Sequence, residues 1–211
     1  MLEIKEKVKQ AVLGQGADIC GVAAIDSFDE APAGFHPGDI FPGCRSVVVF
    51  ARRMPRGTAL VSPRIVYNRF NEMNILEVDR IAYGAALEIE KSGAAAVPLP
   101  ADSPYDEWNE DNLRGQGILS MRHAAVLAGL GRLGRSTLVI NKSLGNMMTI
   151  GAILTDLDLP SDPPAKELCL SGCRRCLENC PAQALDGTTV DQKRCRPNTY
   201  TVNARGFGLV N

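Results

Sequence analysis

Apolar residues recur along this chain with two periods, and the switches between them mark its elements. Over residues 2–13, Leu2, Val8, Ala11 and Val12 fall roughly on one helical face, with Gly14 and Gly16 placed to end the helix. Residues 19–25 (ICGVAAI) form a short unbroken apolar run and read as a buried strand. A loop rich in Pro, Gly and Asp follows over 26–44. Residues 46–51 (SVVVFA), β-branched and apolar, are the clearest strand. The clearest helix is 75–89, where Ile75, Val78, Ala82, Ala85, Ala86 and Ile89 make one stripe and Gly93 lies just past the end. Residues 94–99 read as a strand, 100–116 as a polar acidic loop, and 118–128 as a short helix. Two more strands, 137–141 and 147–157, flank a turn at 143–146. Strands alternating with helices predict an α/β or α+β domain over 1–157. A Pro-rich polar stretch, 158–168, reads as a linker, and a cysteine-bearing segment occupies 169–211.

Composition narrows the function classes. A net charge of −1 leaves no general nucleic-acid footprint. The opening MLEIKEKVKQ mixes charge with apolar groups and carries no signal-peptide core, and no apolar run approaches the ~18 residues that span a bilayer. The expectation is a cytoplasmic protein without membrane contact.

Seven cysteines change the picture. Five of them, Cys169, Cys173, Cys176, Cys180 and Cys195, fall within 27 positions. An odd count in a chain read as cytoplasmic argues against a disulfide framework and for metal ligands. The run is C-x3-C-x2-C-x3-C-P, one residue longer in its first gap than the bacterial ferredoxin pattern. Thiolates are soft ligands suited to iron–sulfur clusters. The rival is a four-cysteine zinc site, but zinc modules pair two C-x2-C knuckles across a long gap, and the second knuckle is missing here. Two all-cysteine cubanes need more thiolates than the seven present, so one [4Fe–4S] cluster is expected, with five candidates for its four positions. Cys20 and Cys44 read as small buried side chains.

Several segments resemble the epoxyqueuosine reductases. Residues 128–140 (AGLGRLGRSTLVI) resemble that family's AGLGWIGKNTLLI, 151–157 (GAILTDL) its GEILTDL strand, and 42–49 (PGCRSVVV) its PGARSVIV strand. Cys173 to Pro181 match its C-x2-C-x3-CP, and Arg194-Cys195 its following RC. The matches run in order over most of the chain. The resemblance, shared with the related reductive dehalogenases, implies a nitroreductase-like α+β sandwich joined to a small ferredoxin-like iron–sulfur segment; members of that family bind a corrinoid and two [4Fe–4S] clusters. The departures are specific. The family's second cysteine motif and its C-terminal tRNA-holding repeats are absent from this sequence. Aligned on AGLG, Gly115 stands where the family has its catalytic Asp, Ile118 and Met121 replace the Pro and Glu of P-x-x-E-R, and only Arg122 matches. Reduction of epoxyqueuosine in tRNA is therefore not expected.

Gly129, Gly131 and Gly134 spell G-x-G-x-x-G, but with a helix before it and a strand after it, the reverse of a dinucleotide site. A turn bringing backbone close to a flat cofactor, or a structural turn, fits better. In the first case Gly131, Arg135 and Ser136 would contact the cofactor, a corrinoid ahead of a flavin. Arg45, Arg52, Arg53, Arg56, Arg64 and Arg69 stand in a stretch, 40–71, without Asp or Glu, which suits either an anionic ligand or a solvated loop. His123 is a candidate acid–base group against a structural reading, and Tyr105 and Trp108 could cover a pocket. Two functions follow. One is a redox enzyme or reductase module that takes single electrons from a ferredoxin-like or flavodoxin-like donor through the cluster. The other is a non-catalytic electron carrier or cluster-bearing binding module.

Overall fold

The computed structural model describes residues 2–62, 65–111 and 113–197. Its helices are α1 (Leu2–Gly14), α2 (Pro37–Ile40), α3 (Ile65–Glu90), α4 (Met121–Leu127) and α5 (Arg175–Glu178). Its strands are β1 (Ile19–Ala24), β2 (Ser46–Arg53), β3 (Ala96–Leu99), β4 (Glu107–Asn109), β5 (Arg114–Gln116), β6 (Arg132–Leu133), β7 (Val139–Ile140) and β8 (Met148–Thr155). Four strands form one antiparallel sheet in the order β1–β2–β8–β3, with Val48 opposite both Val22 and Ile153.

The unbroken apolar run of β2 marks a strand covered on both faces, and all of 46–51 is buried. Its side chains alternate between two cores. Val48 and Phe50 join Val22 and Ile153 beneath α1 and α3, where Val12, Val78, Ala82, Ala85 and Ile89 meet them. Val47 and Val49 join Ala23, Ala152 and Leu154 on the other face, against Ala124 and Ala125 of α4. The molecule is thus a mixed α/β sandwich: helices, antiparallel sheet, then a shorter helix with loops.

The helix predicted over 75–89 begins ten residues earlier, at Ile65. Its first turns carry Val66, Phe70 and Met73 on the exposed side, so the sheet-facing stripe that marks 75–89 does not run back over them. Asn74 ties this part to the sheet by donating to Arg52 O at 3.2 Å and Thr149 Oγ1 at 2.8 Å. The acidic loop 100–116 contains a small hairpin, β4–β5. The strand read over 137–141 shrinks to β7, which pairs with β6 from the glycine turn, while β8 pairs with β2 and β3. Arg64, one of the basic residues noted above, and residues 198–211 of the cysteine segment lie outside the described residues.

The Pro-rich stretch is docked along the sheet edge. Asp162 N–H donates to Val22 O at 2.8 Å, and Val22 N–H returns to Asp162 Oδ2 at 3.0 Å. Ala24 N–H donates to Ser161 Oγ at 2.8 Å, and Leu159 is buried in the core of α1 and α3. Asp162 also pairs with Lys5 at 2.7 Å and Lys9 at 3.1 Å. Burial opposes its charge, but these two ammonium groups and the Val22 N–H outweigh that and hold its carboxyl below the usual range. The strap covers the open edge of β1 and carries the chain toward α4. Among the described residues no helix is long and apolar enough to cross a membrane.

Candidate functional site

A cleft of about 1500 Å³ opens on the α4 face of the sheet. It is lined by Phe28 and Phe35 from the segment after β1, Gly115 and Gln116 of β5, and Ser120, Arg122 and His123 at the start of α4. The turn after α4 contributes Gly134, Arg135 and Thr137, and the cysteine segment contributes Cys169, Leu170 and Ser171. This volume exceeds the ~300–1,000 Å³ usual for a drug-sized ligand and leaves room for a large flat cofactor.

The glycine turn is shaped by close backbone approach. Gly129 has φ +72°, and a Cβ there would collide with Pro163 O of the strap. At Gly131 a Cβ would come within 2.5 Å of Ile140 O in β7. Gly134 N–H donates to Leu138 O at 2.9 Å. These contacts bring β6, β7 and the strap together. Of the three residues expected to touch a cofactor, Arg135 lines the cleft, whereas Gly131 packs on β7 and Ser136 lies outside the lining. The helix before the turn and the strand after it are present, as the sequence indicates.

Charge in the cleft is anchored. Arg122 donates to Thr137 O at 2.8 Å and to Thr137 Oγ1 at 3.2 Å, with Thr137 at φ +63°. Arg135 donates to Cys173 O at 3.3 Å and so couples the turn to the cysteine segment. His123 Nδ1 lies 2.7 Å from Ser120 Oγ, a pairing the sequence reading did not draw although the two stand three apart at a helix start. Gly115 sits under Tyr105, whose ring atoms a Cβ would meet at 2.8 Å. Tyr105 stacks on Trp108 at 5.8 Å, and Arg196 lies over both rings at 5.4 and 4.7 Å.

Cys169, Cys173, Cys176 and Cys180 are half-buried free thiols, and Cys195 is half-buried in a helical stretch over 192–197. Gly172, at φ +75°, turns the chain between the first two, and Cys176 lies in α5. Ala184 N–H donates to Cys180 Sγ at 3.4 Å, and Cys169 N–H donates to Glu167 Oε1 at 2.8 Å. Among the described residues no three His, Cys, Asp or Glu side chains converge on a point that could hold a metal ion. The donor set still suits a cluster: five soft ligands on one segment, one already receiving an amide at sulfur. Cys20 and Cys44 stand apart from it. Burial pushes their thiols up to about 12 and about 11, so both stay protonated.

No family model matches the chain. It is 34% identical to an epoxyqueuosine reductase of Bacillus cereus, across 96% of this chain and 58% of that protein. It is 30% identical to a tetrachloroethene reductive dehalogenase of Dehalobacter restrictus over 176 residues, 82% of this chain and 28% of the dehalogenase. The chain therefore spans between about a quarter and three fifths of these relatives' length. Among solved structures, the epoxyqueuosine reductase of Streptococcus thermophilus superposes with a TM-score of 0.63 at 20% identity, over 92% of this chain and 56% of that one. A catabolic reductive dehalogenase in complex with 3-bromo-4-hydroxybenzoic acid gives 0.67 at 19% identity, over 91% and 28%. Sequence likeness to both groups and a fold common to both make this chain a member of an epoxyqueuosine reductase-like family related to the core of the reductive dehalogenases.

Proposed function

We propose that this chain is an oxidoreductase module whose ferredoxin-like cysteine segment carries one [4Fe–4S] cluster beside a cofactor cleft. The observation that carries the reading is that Cys169 and Arg135 both line the 1500 Å³ cleft while Arg135 also holds the Cys173 carbonyl. Cys169, Cys173, Cys176, Cys180 and Cys195 are the candidate ligands. When bound, the cluster would supply single electrons, received from a ferredoxin-like or flavodoxin-like partner, to a corrinoid or, failing that, a flavin in the cleft. The chain's own residues hold and orient. Arg122, fixed by Thr137, and Arg135 offer cationic donors to acidic groups on the ligand. Ser120 and His123 offer a hydroxyl–imidazole pair for moving a proton in the cleft.

A second reading, an electron carrier or cluster-bearing binding module without catalysis, is favoured by Gly115. The family's acid has no counterpart there, and the Tyr105 ring fills the space beside it. For that reason epoxyqueuosine in tRNA should not be turned over, and a rate above the no-enzyme control would refute this. Anaerobic purification followed by titration separates the two readings. About four iron and four sulfide per chain are expected; stoichiometric zinc without acid-labile sulfide would sink both. A spectral shift on adding base-off cobalamin or FMN, weakened in an Arg135→Ala variant that keeps its iron, would support the cofactor cleft. No binding of either at tens of micromolar would leave the carrier reading standing.

A further inference from the structure

The outer face of α3 is not explained by the cleft, which lies across the sheet. Along this helix, positions 66, 69, 73, 76, 80, 83, 87 and 90 are all exposed. They follow one another at steps of three and four, the spacing of a helix–helix seam. Val66, Met73, Leu76, Tyr83 and Leu87 occupy five of these positions, and the exposed Phe70 flanks them; Leu76 and Tyr83 are each 62% exposed. The opposite face of the same helix, with Val78, Ile81, Ala82, Ala85, Ala86 and Ile89, is the one buried on the sheet. Single exposed apolar residues are ordinary, but five on one row of a 26-residue helix, broken only by Arg69 and Arg80, mark a contact surface.

We infer that this face joins two copies of the chain through antiparallel α3 helices related by a two-fold axis near Val78. The charges select this arrangement. In an antiparallel pair, Leu76 lies on the aliphatic stem of the partner copy's Arg80, and Glu77 comes beside the same guanidinium. Met73 meets Tyr83 of the other copy, and Arg69 faces its Leu87 with Glu88 next along the helix. Arg80 thereby gains a second acid, Glu77 of the other copy, across the axis. Within one chain Glu77 already sits 2.9 Å from Arg80, so the axis gathers a balanced group of four charges. A parallel in-register pair would instead stack Arg80 on Arg80 and Arg69 on Arg69. The second copy is self-complementary to the surface, as a two-fold interface must be.

Size sets the strength. The helix is ~39 Å long and presents a face ~10 Å wide, or ~400 Å² per copy. That is about half the ~800 Å² per partner of a standard stable interface. Leu60 and Val61, exposed just ahead of α3, extend the patch. The dimer is therefore reversible and concentration-dependent, and it leaves the cleft open on the far side of the sheet.

Sedimentation equilibrium of the anaerobically purified full chain, from about 1 to 100 µM, tests this. The average mass should climb from one chain toward two. Leu76→Glu with Tyr83→Glu should weaken association about 100-fold while circular dichroism and iron content stay unchanged. Arg80→Glu and Glu77→Arg should each abolish self-association, and mixing the two variants should restore a dimer. A mass of one chain throughout, a dimer indifferent to Leu76→Glu, or no recovery on mixing would each overturn the interface.

Discussion

The central sheet and the cysteine segment are built on opposite principles. From 46 to 51 every residue is buried; from 165 to 197 only Ala184 is. The sheet is stable because apolar side chains leave water on both of its faces. The cysteine segment has no such source. It is ordered by local devices: one helical turn in α5, the Leu185–Val190 bridge, and Asp186, which accepts from the N–H and hydroxyl groups of Thr189 and Thr188. Those bonds hold the Asp186 carboxyl well below the usual carboxylate range, yet on the surface they fix a turn rather than a fold. A segment this thin gains most from a cross-link, and the cluster proposed for its thiols would be one: its binding free energy would become folding free energy for that part alone.

The sharpest way to break the comparison is to remove a ligand. Cys173→Ala or Cys176→Ala should abolish iron binding, and amide exchange over 169–197 should become fast while β2 and β8 stay protected. Loss of protection in the sheet, or a protected cysteine segment without iron, would refute the division. Next in size, Phe50→Ala should cost about 3–5 kcal/mol in urea unfolding, because it empties a fully buried site between β2 and α3. Its iron content under native conditions should not change.

Asp162→Ala tests the strap that joins the two regions. It strands Lys5, whose side chain is 7% exposed, and should cost about 3 kcal/mol. Because the folded carboxyl titrates below its unfolded value, this contribution is complete at neutral pH. It is lost as pH falls from about 3.9 through the lower folded value. Acid unfolding of the Asp162→Ala variant should accordingly show a shallower dependence on pH than the parent below about pH 4. The smallest effect belongs to Cys20→Ala, which should cost about 1 kcal/mol or less and leave iron unchanged, since its thiol stays protonated. Loss of iron there would move the ligand set into the sheet region.

The sheet was legible because its physics is local. A run such as SVVVFA has one common use, and residues 2–13, 19–25 and 94–99 became α1, β1 and β3 with shifts of a residue or two. Pairings were not legible. Nothing in the sequence says that β7 takes β6 as its partner, because two-residue strands carry no period. The first ten residues of α3 were hidden for a related reason: their apolar groups point outward, so the stripe expected of a surface helix is inverted there. At the cleft, spacing and resemblance single out Cys169 and Arg135, and both line it, whereas Gly131 and Ser136 do not. The Ser120–His123 pair and the Tyr105–Trp108–Arg196 stack join groups through folding, and single positions give no sign of them.

The Gly115–Tyr105 contact also constrains how this chain could change. A side chain at 115 would enter the Tyr105 ring, which is pinned by Trp108 on one side and Arg196 over it. A carboxylate there needs the Tyr105 ring to swing away or position 105 to be smaller. Position 105 in turn could shrink only at the expense of the stack that ties the β4–β5 hairpin to the 192–197 helix. Gly115→Asp alone should therefore loosen the hairpin from the 192–197 helix, and Tyr105→Ala beside it should relieve the clash while giving up the stack.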